Sequence, residues 1–150
     1  MKIVHIITDL DTGGAEIMLY KLLSSLHDEA LNSIVISLMG RGKITERIEA
    51  LGVKVETLDL GQGERPSWQT IKKLRQFMRA FNPDIVQGWM YHGNIAATVA
   101  VFLFDPMRRK VKLFWNVRQT LYDINSEKMQ TRWLIVLGRW LSFFPHSIIY

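Results

Sequence analysis

The feature that most constrains the fold is the first stretch of the chain, where an apolar run stops at a short polar loop and a pair of glycines. Residues 2–8 form the apolar run, Gly13 and Gly14 form the pair, and a helical pattern begins immediately after them. Glycine lets the backbone approach a ligand closely, and the free N–H groups of a helix N-terminus attract phosphate. This stretch therefore predicts an α/β protein with an anion site after its first strand.

Strand-like and helix-like stretches alternate along the rest of the chain. The predicted strands are residues 2–8, 32–38, 53–60, 84–89, 111–116 and 147–150; the predicted helices are 14–27, 43–51, one capped by Ser67 that ends near Asn82, 93–104 and 126–143. Strands joined by right-handed helical crossovers form a mainly parallel sheet with helices on both faces. The predicted fold is a Rossmann-like three-layer α/β/α sandwich. Because the chain stops within a strand, we expect it to be part of a longer protein.

The composition is that of one globular domain with a modest excess of basic residues. Nineteen basic and fourteen acidic residues give a net charge of +5, which fits a phosphate-bearing ligand, an anionic membrane surface or an ordinary solvated surface. The absence of cysteine excludes disulfides and cysteine metal sites. The sequence shows no metal-ligand spacing and no nucleic-acid motif. No apolar stretch approaches the roughly 18 residues of a membrane span.

Ligands of such sheets bind outside the carboxyl ends of the strands, and this rule selects four loops. They are residues 9–14, 39–43, 90–94 and 116–126. The glycine pair is the best candidate, as a phosphate-binding turn or as an ordinary tight turn. The nicotinamide fingerprint Gly-x-Gly-x-x-Gly and a Walker-type phosphate loop are both absent, and the second strand ends without an acid for a ribose.

The loop at residues 90–94 follows Trp89 and places Tyr91, His92 and Asn94 at a strand end. Tyr and Trp rings suit sugar faces, and His92 can exchange protons near neutral pH. The alternative is that Trp89 lies in the core and His92 caps the next helix. His5, inside the first strand, is interpreted as a core residue.

After the fifth strand, Asn116 and Arg118 are the candidates at the sheet edge. An arginine there can bind a phosphate or carboxylate through two parallel hydrogen bonds. The alternative is a surface ion pair between Arg118 and Asp123 or Glu127.

Three predicted helices have distinctive compositions. The helix after Ser67 is basic on a face interpreted as solvated, and the helix at 93–104 is apolar nearly all round and therefore predicted to be buried. The helix at 126–143 combines two tryptophans and two arginines with an apolar run. That composition suits a membrane-interface helix or a buried one.

Four stretches, taken in this order, resemble the N-terminal half of a GT-B fold retaining glycosyltransferase of the glycosyltransferase family 4 (group 1) type. They are residues 5–8 leading into 13–16, residues 83–92, residues 116–119 and residues 148–150. The resemblance covers essentially the whole chain. It implies two Rossmann-like domains facing each other across a cleft, with residues 1–150 as the acceptor-side domain and the nucleotide-sugar domain absent from this chain.

The resemblance also implies roles for individual residues. Gly13 and Gly14 would contact the diphosphate of the donor. Many family members have a catalytic histidine after the strand that is 111–116 here, but this chain has none there, so no catalytic residue is assigned. The candidate acceptor or cleft contacts are Tyr91, His92, Asn94, Asn116 and Arg118.

The implied reaction transfers a sugar from a nucleotide-diphosphate sugar to an acceptor hydroxyl with retention of the anomeric configuration. The acceptor would be a cell-surface polysaccharide or a lipid-linked saccharide. The expected location is the cytoplasm, at the inner face of the membrane, with peripheral membrane contact and without nucleic acid, metal or cofactor. The fragment alone is expected to be inactive. The alternative is a stand-alone Rossmann-like or flavodoxin-like ligand-binding module without catalysis, and a nicotinamide-dependent enzyme is disfavoured by the missing fingerprint.

Overall fold

A computed structural model describes residues 1–107, 110–117 and 142–149. The strands are β1 (Ile3–Ile7), β2 (Ser33–Ser37), β3 (Lys54–Thr57), β4 (Ile85–Trp89), β5 (Lys112–Asn116) and β6 (Ser147–Ile149). The helices are α1 (Gly14–Ser25), a 3₁₀ helix (His27–Asn32), α2 (Thr45–Glu49), α3 (Trp68–Phe81) and α4 (Met90–Phe104). The six strands form one sheet in the order β3-β2-β1-β4-β5-β6, and every neighbouring pair is parallel. The predicted three-layer architecture is confirmed.

Alternate side chains of the strands face two separate cores, because successive residues of a strand point to opposite sides of the sheet. One core joins Val4 and Ile6 of β1 to α3 and α4. The other joins Ile7 of β1 to α1, the 3₁₀ helix and α2. Helices α1 and α4 therefore lie on opposite faces of the sheet. His5 is buried, as predicted, with a relative exposure of 1%.

Two predicted boundaries were wrong because non-glycine residues adopt the left-handed backbone region. His27 has φ 45°, and helix α1 ends just before it, so the 3₁₀ helix occupies residues assigned to the end of the helix and the start of the second strand. Asp59 has φ 55° and ends the extended backbone of β3. Beyond that strand, Leu60 N still donates to Leu38 O at 3.0 Å, so the chain continues beside β2 without regular pairing.

Helix α3 begins and ends where the sequence predicts. The Ser67 hydroxyl accepts a hydrogen bond from Thr70 N at 3.2 Å, which satisfies one free donor of the first turn. Asn82 ends the helix with φ 52°, and its N–H donates to Met78 O at 2.9 Å. Leu74 and Met78 are buried, so α3 packs against the sheet through these apolar side chains.

The two other distinctive helices have different outcomes. Helix α4 is not buried all round, because Val99 and Phe102 are 39% and 38% exposed. Of the helix predicted at 126–143, only Ser142 and Phe143 are among the described residues, and they form a turn. No helix in the described part of the chain is both long and apolar enough to cross a membrane.

Candidate functional site

The strand order reverses between β1 and β4, which are hydrogen-bonded neighbours although they are far apart in sequence. In open parallel sheets, ligands bind in the crevice at such a reversal, outside the carboxyl ends of the strands. Helix α1 follows β1 on one face, and helix α4 follows β4 on the other. The candidate site is therefore built from the first turns of these two helices.

The first turn of α1 is open at Gly14. Gly13 is the N-cap residue, with an extended backbone (φ −144°, ψ 176°) and no side-chain hydrogen bond to the helix. A Cβ atom placed on Gly14 would meet no atom within 4 Å. Because the first amides of a helix have no carbonyl partner within it, this turn presents N–H donors to a ligand. The glycine pair thus forms the N-terminus of α1, as the sequence predicts, with Gly13 as the N-cap and Gly14 as the first helical residue.

An acidic side chain lies over this turn. A Cβ atom on Gly13 would overlap Glu16 Oε2, so the Glu16 carboxylate folds back over the N-cap glycine. Burial raises the pKa of Glu16, the negative charges of Asp9 and Asp11 raise it further, and a hydrogen bond from its own backbone N–H opposes them. The loop is itself ordered by Asp9, whose Oδ1 accepts from Asp11 N at 3.1 Å. A phosphate at this turn therefore has to meet three carboxylates, and its positive partners must come from elsewhere.

The first turn of α4 is closed, and it begins three residues earlier than predicted. The loop expected at residues 90–94 is helical, and Met90 enters the helix with φ 61°. A Cβ atom on Gly93 would lie 2.6 Å from Ile6 O, and one on Gly88 would lie 2.5 Å from Asn94 Cα. Both distances are too short for a real side chain. These glycines let α4 lie directly on β1 and β4, a close approach that the sequence does not predict.

Buried polar contacts hold this turn in place. Trp89 Nε1 donates to His5 Nδ1 at 3.3 Å, and both residues are almost fully buried. Burial lowers the pKa of His5 to about 4, against an opposing contribution from the Gln87 side chain. His5 is therefore neutral at physiological pH and acts as a hydrogen-bond acceptor beneath the site. The two alternatives for Trp89 are resolved in favour of the core.

A second set of buried contacts connects α4 to β5. Asn94 Nδ2 donates to Asn116 O at 3.4 Å, Trp115 Nε1 donates to Thr98 Oγ1 at 3.1 Å, and Thr98 Oγ1 donates to Asn94 O at 2.9 Å. Asn94 and Asn116 are 2% and 3% exposed, and their Oδ1 atoms have no hydrogen-bond partner among the described residues. Both side chains thus lie inside the fold at the ligand edge of the sheet.

The two predicted acceptor contacts Tyr91 and His92 both lie in the first turn of α4, where Tyr91 is half-buried and His92 is exposed. His92 is therefore within the helix, and Trp89 is the N-cap residue. Partial burial of the imidazole lowers the pKa of His92, which favours its neutral form. Arg118 and its alternative partners Asp123 and Glu127 lie outside the described residues. No group of three or more potential metal ligands occurs in the described part of the chain.

The loop after β2 supports the glycine turn from the side. A Cβ atom on Gly42 would overlap the backbone of Leu10 and Asp11, so the two loops are in direct backbone contact. Ile44 N donates to Leu10 O at 2.9 Å, and Gly42 N donates to Thr45 Oγ1 at the same distance. The predicted ligand-edge loop at 39–43 is thus one unit with the loop that precedes Gly13.

A cleft of about 490 Å³ lies beside this edge, between the end of β3 and the start of α3. Its polar lining includes Asp59, Arg65, Ser67 and Lys73. Asp59 accepts from Thr57 Oγ1 at 2.6 Å and from Lys73 Nζ at 2.9 Å, and these bonds lower its pKa. The sequence predicts only a loop between β3 and α3, where glycines and charged residues indicate a turn.

Comparisons with known proteins agree with this geometry. The sequence profile of Glycosyltransferase Family 4 matches residues 12–149. Among solved structures, the chain is similar to HepE of Anabaena, determined in complex with UDP and glucose, with a TM-score of 0.70 and 20% sequence identity. The similarity covers 99% of this chain and 37% of HepE, so this chain spans well under half of that protein. The comparison with curated proteins finds no match.

Proposed function

Because the chain belongs to glycosyltransferase family 4, we propose that it forms the acceptor-side half of an enzyme that transfers a sugar from a nucleotide-diphosphate donor to an acceptor hydroxyl, with retention of the anomeric configuration. The observation that carries this proposal is the open N-terminus of α1 at the reversal of strand order, where Gly13 has no side-chain cap and Gly14 has no neighbour. This terminus is suited to a diphosphate.

On the donor side, Gly13 and Gly14 would contact the diphosphate as negative charge develops on it. Fixed N–H donors stabilise such charge without reorganisation at the moment of reaction. Asp9, Asp11 and Glu16 surround the turn with negative charge. Most of the cationic groups that neutralise the diphosphate would therefore come from a second, C-terminal domain. The 37% coverage of HepE supports such a domain in the parent protein, and this half alone would then be inactive.

On the acceptor side, Tyr91 and His92 would contact the saccharide from the first turn of α4. The lowered pKa of His92 keeps its imidazole neutral near pH 7, so that it accepts a hydrogen bond from an acceptor hydroxyl. Asn94 and Asn116 are buried and would position this turn through their contact with each other. The acceptor would be a cell-surface polysaccharide or a lipid-linked saccharide, modified at the inner face of the membrane.

The test uses the full-length protein with a panel of nucleotide sugars. We expect one of them to bind and to be hydrolysed slowly without acceptor, and the anomer of the transferred sugar to be retained by NMR. Gly14→Asp should weaken nucleotide binding at least tenfold, because it adds a fourth carboxylate to the turn. Gly40→Asp is the matched control, since it adds the same carboxylate at a glycine where a Cβ atom also meets nothing within 4 Å. Binding of a ligand without hydrolysis or transfer would favour the stand-alone binding module instead.

A further inference from the structure

The two helical layers carry opposite charge. On the first face, α1, the 3₁₀ helix and α2 contain two basic and five acidic residues; these are Lys21, Arg47, Glu16, Asp28, Glu29, Glu46 and Glu49. On the second face, α3 and α4 contain four basic residues and no acidic one; these are Lys72, Lys73, Arg75 and Arg79. The first face therefore carries a net negative charge, and the net positive charge of the described helices lies on the second face, all of it on α3.

Three of these cations and one tryptophan form a single stripe along α3. Trp68, Lys72, Arg75 and Arg79 are spaced by four, three and four residues, which places them on one side of a helix. All four are exposed, and Trp68 is exposed to 79%. We call these four residues the basic stripe. It faces solvent, because all four residues are exposed, whereas the buried Leu74 and Met78 lie on a different side of the helix.

The cations of the basic stripe have no counter-charge in the described structure. Lys73, which lies beside the stripe, pairs with Asp59 at 2.9 Å, whereas the three stripe cations form no ion pair with any described residue. Like charges three and four residues apart repel each other along a helix. An exposed tryptophan also leaves a large apolar ring in water. An anionic partner with an apolar interior would relieve both costs.

The neighbouring helix extends this surface with apolar side chains. Helix α4 packs against α3 in the same layer, and its exposed residues Val99 and Phe102 lie on its outer side. The Phe102 ring also contacts the Phe144 ring edge-on, with centroids 5.1 Å apart. The outer surface of this layer therefore combines unpaired cations, an exposed indole and exposed aliphatic and aromatic groups.

We propose that the basic stripe and the outer side of α4 dock the protein on the surface of an anionic lipid bilayer. Lysine and arginine attract anionic head groups, and tryptophan prefers the boundary between head groups and acyl chains. Val99 and Phe102 fit this partner, since a bilayer accommodates apolar side chains among its head groups, whereas a nucleic-acid backbone offers them nothing. The proposal rests on the proposed function only for its biological purpose, which is access to a lipid-linked acceptor.

This orientation would also place the cleft beside α3 near the lipid. Ser67, which lines the cleft and caps α3, is the residue before Trp68. A lipid-linked acceptor lying in the membrane would thus have its polar head close to the ligand edge of the sheet. In this arrangement, a lipid-linked acceptor would reach the site from the α3 side of the molecule.

The test measures partitioning of the full-length protein onto vesicles by co-sedimentation. Vesicles of phosphatidylcholine are compared with vesicles that contain about a third phosphatidylglycerol. We expect binding to the anionic vesicles only, and a roughly hundredfold loss in the Lys72→Gln/Arg75→Gln/Arg79→Gln variant, since each basic residue contributes about a fivefold factor near an anionic surface. Trp68→Ala should reduce binding several-fold even at about 0.5 M salt, where charge effects are screened.

The matched control removes the same charge elsewhere. Lys21, Lys110 and Lys112 are exposed and lie off α3, so the triple change to Gln at these positions should leave vesicle binding within about threefold of wild type. Equal losses in the two triple variants would overturn the proposal, because binding would then follow net charge alone. It would also be overturned if the protein ignored vesicles while the stripe variant lost binding to an oligonucleotide or an acidic protein. UDP binding, measured in solution on the same proteins, reports separately on the proposed function, and we expect the stripe variant to retain it.

Discussion

Helix α1 begins beside open space, whereas helix α4 begins against the backbone of β1. Both starts contain glycine at the point where the strand order reverses. At α1, a Cβ atom on Gly14 would meet nothing within 4 Å, and the turn is surrounded by three carboxylates, the exposed Asp11 and the half-buried Asp9 and Glu16. At α4, Gly93 leaves no room for a methyl group, and the surrounding side chains of His5, Trp89 and Asn94 are buried and joined to their neighbours by hydrogen bonds through His5 Nδ1, Trp89 Nε1 and Asn94 Nδ2. Gly14 therefore leaves space for a ligand, whereas Gly93 allows a helix to pack closely against a strand.

The largest effect is expected from an alanine substitution at the start of α4, compared with one at the start of α1. Gly93→Ala should lower the free energy of unfolding by on the order of 3 kcal/mol, because the new Cβ atom would lie 2.6 Å from Ile6 O and neither backbone can yield cheaply. Helix propensity alone predicts the opposite sign, a gain of about 1 kcal/mol. Urea unfolding measures the difference. Gly14→Ala is the control and should leave the free energy of unfolding unchanged. Equal losses at the two positions would show that the starts of α1 and α4 are not packed differently.

The next effect concerns the buried histidine under α4. His5 has a pKa of about 4 in the folded protein, below its ordinary value of 6.5, so the unfolded chain binds the proton more tightly. Stability should therefore fall as the pH drops from about 6.5 towards 4, by about 2 kcal/mol between pH 7 and pH 5. His5→Gln retains an acceptor for Trp89 and should remove this part of the pH dependence. Parallel urea titrations at the two pH values test it, and unchanged pH dependence in the variant would show that His5 is not the group.

A smaller effect is expected at the contact between α4 and β5. Thr98→Val keeps the shape of the side chain but removes the acceptor of Trp115 Nε1, which is buried. The loss should be about 1 to 2 kcal/mol, the cost of an unsatisfied buried donor. Thermal unfolding measures it, with Thr98→Ser as the control that retains the hydroxyl. A neutral Thr98→Val would mean that the polar contacts under α4 are not what holds it.

The smallest effect tests the acidic start of α1 and has the opposite sign. Burial and the nearby Asp9 and Asp11 raise the pKa of Glu16, so its ionised form opposes folding and the resulting loss of stability is complete once the pH exceeds that pKa. Glu16→Gln should therefore stabilise the protein slightly at pH 7, and the gain should vanish as the pH falls. It should also strengthen UDP binding by the full-length protein. Calorimetry at pH 7 tests the second outcome, and weaker UDP binding would assign the carboxylate a role in holding the donor.

The sequence predicts the start of α1 well and the start of α4 poorly. The apolar run and the glycine pair are local signals, and Ser67 and Asn82 mark α3 by local hydrogen bonds, so all of these are readable from neighbouring residues. Gly88 and Gly93 matter because of Asn94 and Ile6, which they meet only in the folded chain. A glycine inside a strand was the available hint, since it often marks a close backbone approach.

The same limit explains the other misassigned residues. The sequence predicts Tyr91 and His92 in the loop that follows β4, yet α4 extends through them, because tertiary packing overrides local propensity. Asn94 and Asn116 are predicted as acceptor or cleft contacts from their position at strand ends, and that position does not reveal that both side chains are buried. Asp59 and His27 changed element boundaries through left-handed backbone conformations that no spacing rule predicts.

The backbone contact between Gly42 and the Leu10–Asp11 peptide has a consequence for how variation in this chain should be interpreted. Any side chain at position 42 would push the loop that leads into the glycine turn, although the residue lies almost thirty positions downstream of that turn and touches no proposed ligand. A saturation mutagenesis screen for activity would therefore rank Gly42 alongside true contact residues. Variants selected for altered donor preference should accumulate changes in the loop after β2 as readily as in the turn itself, since the two loops can only move together.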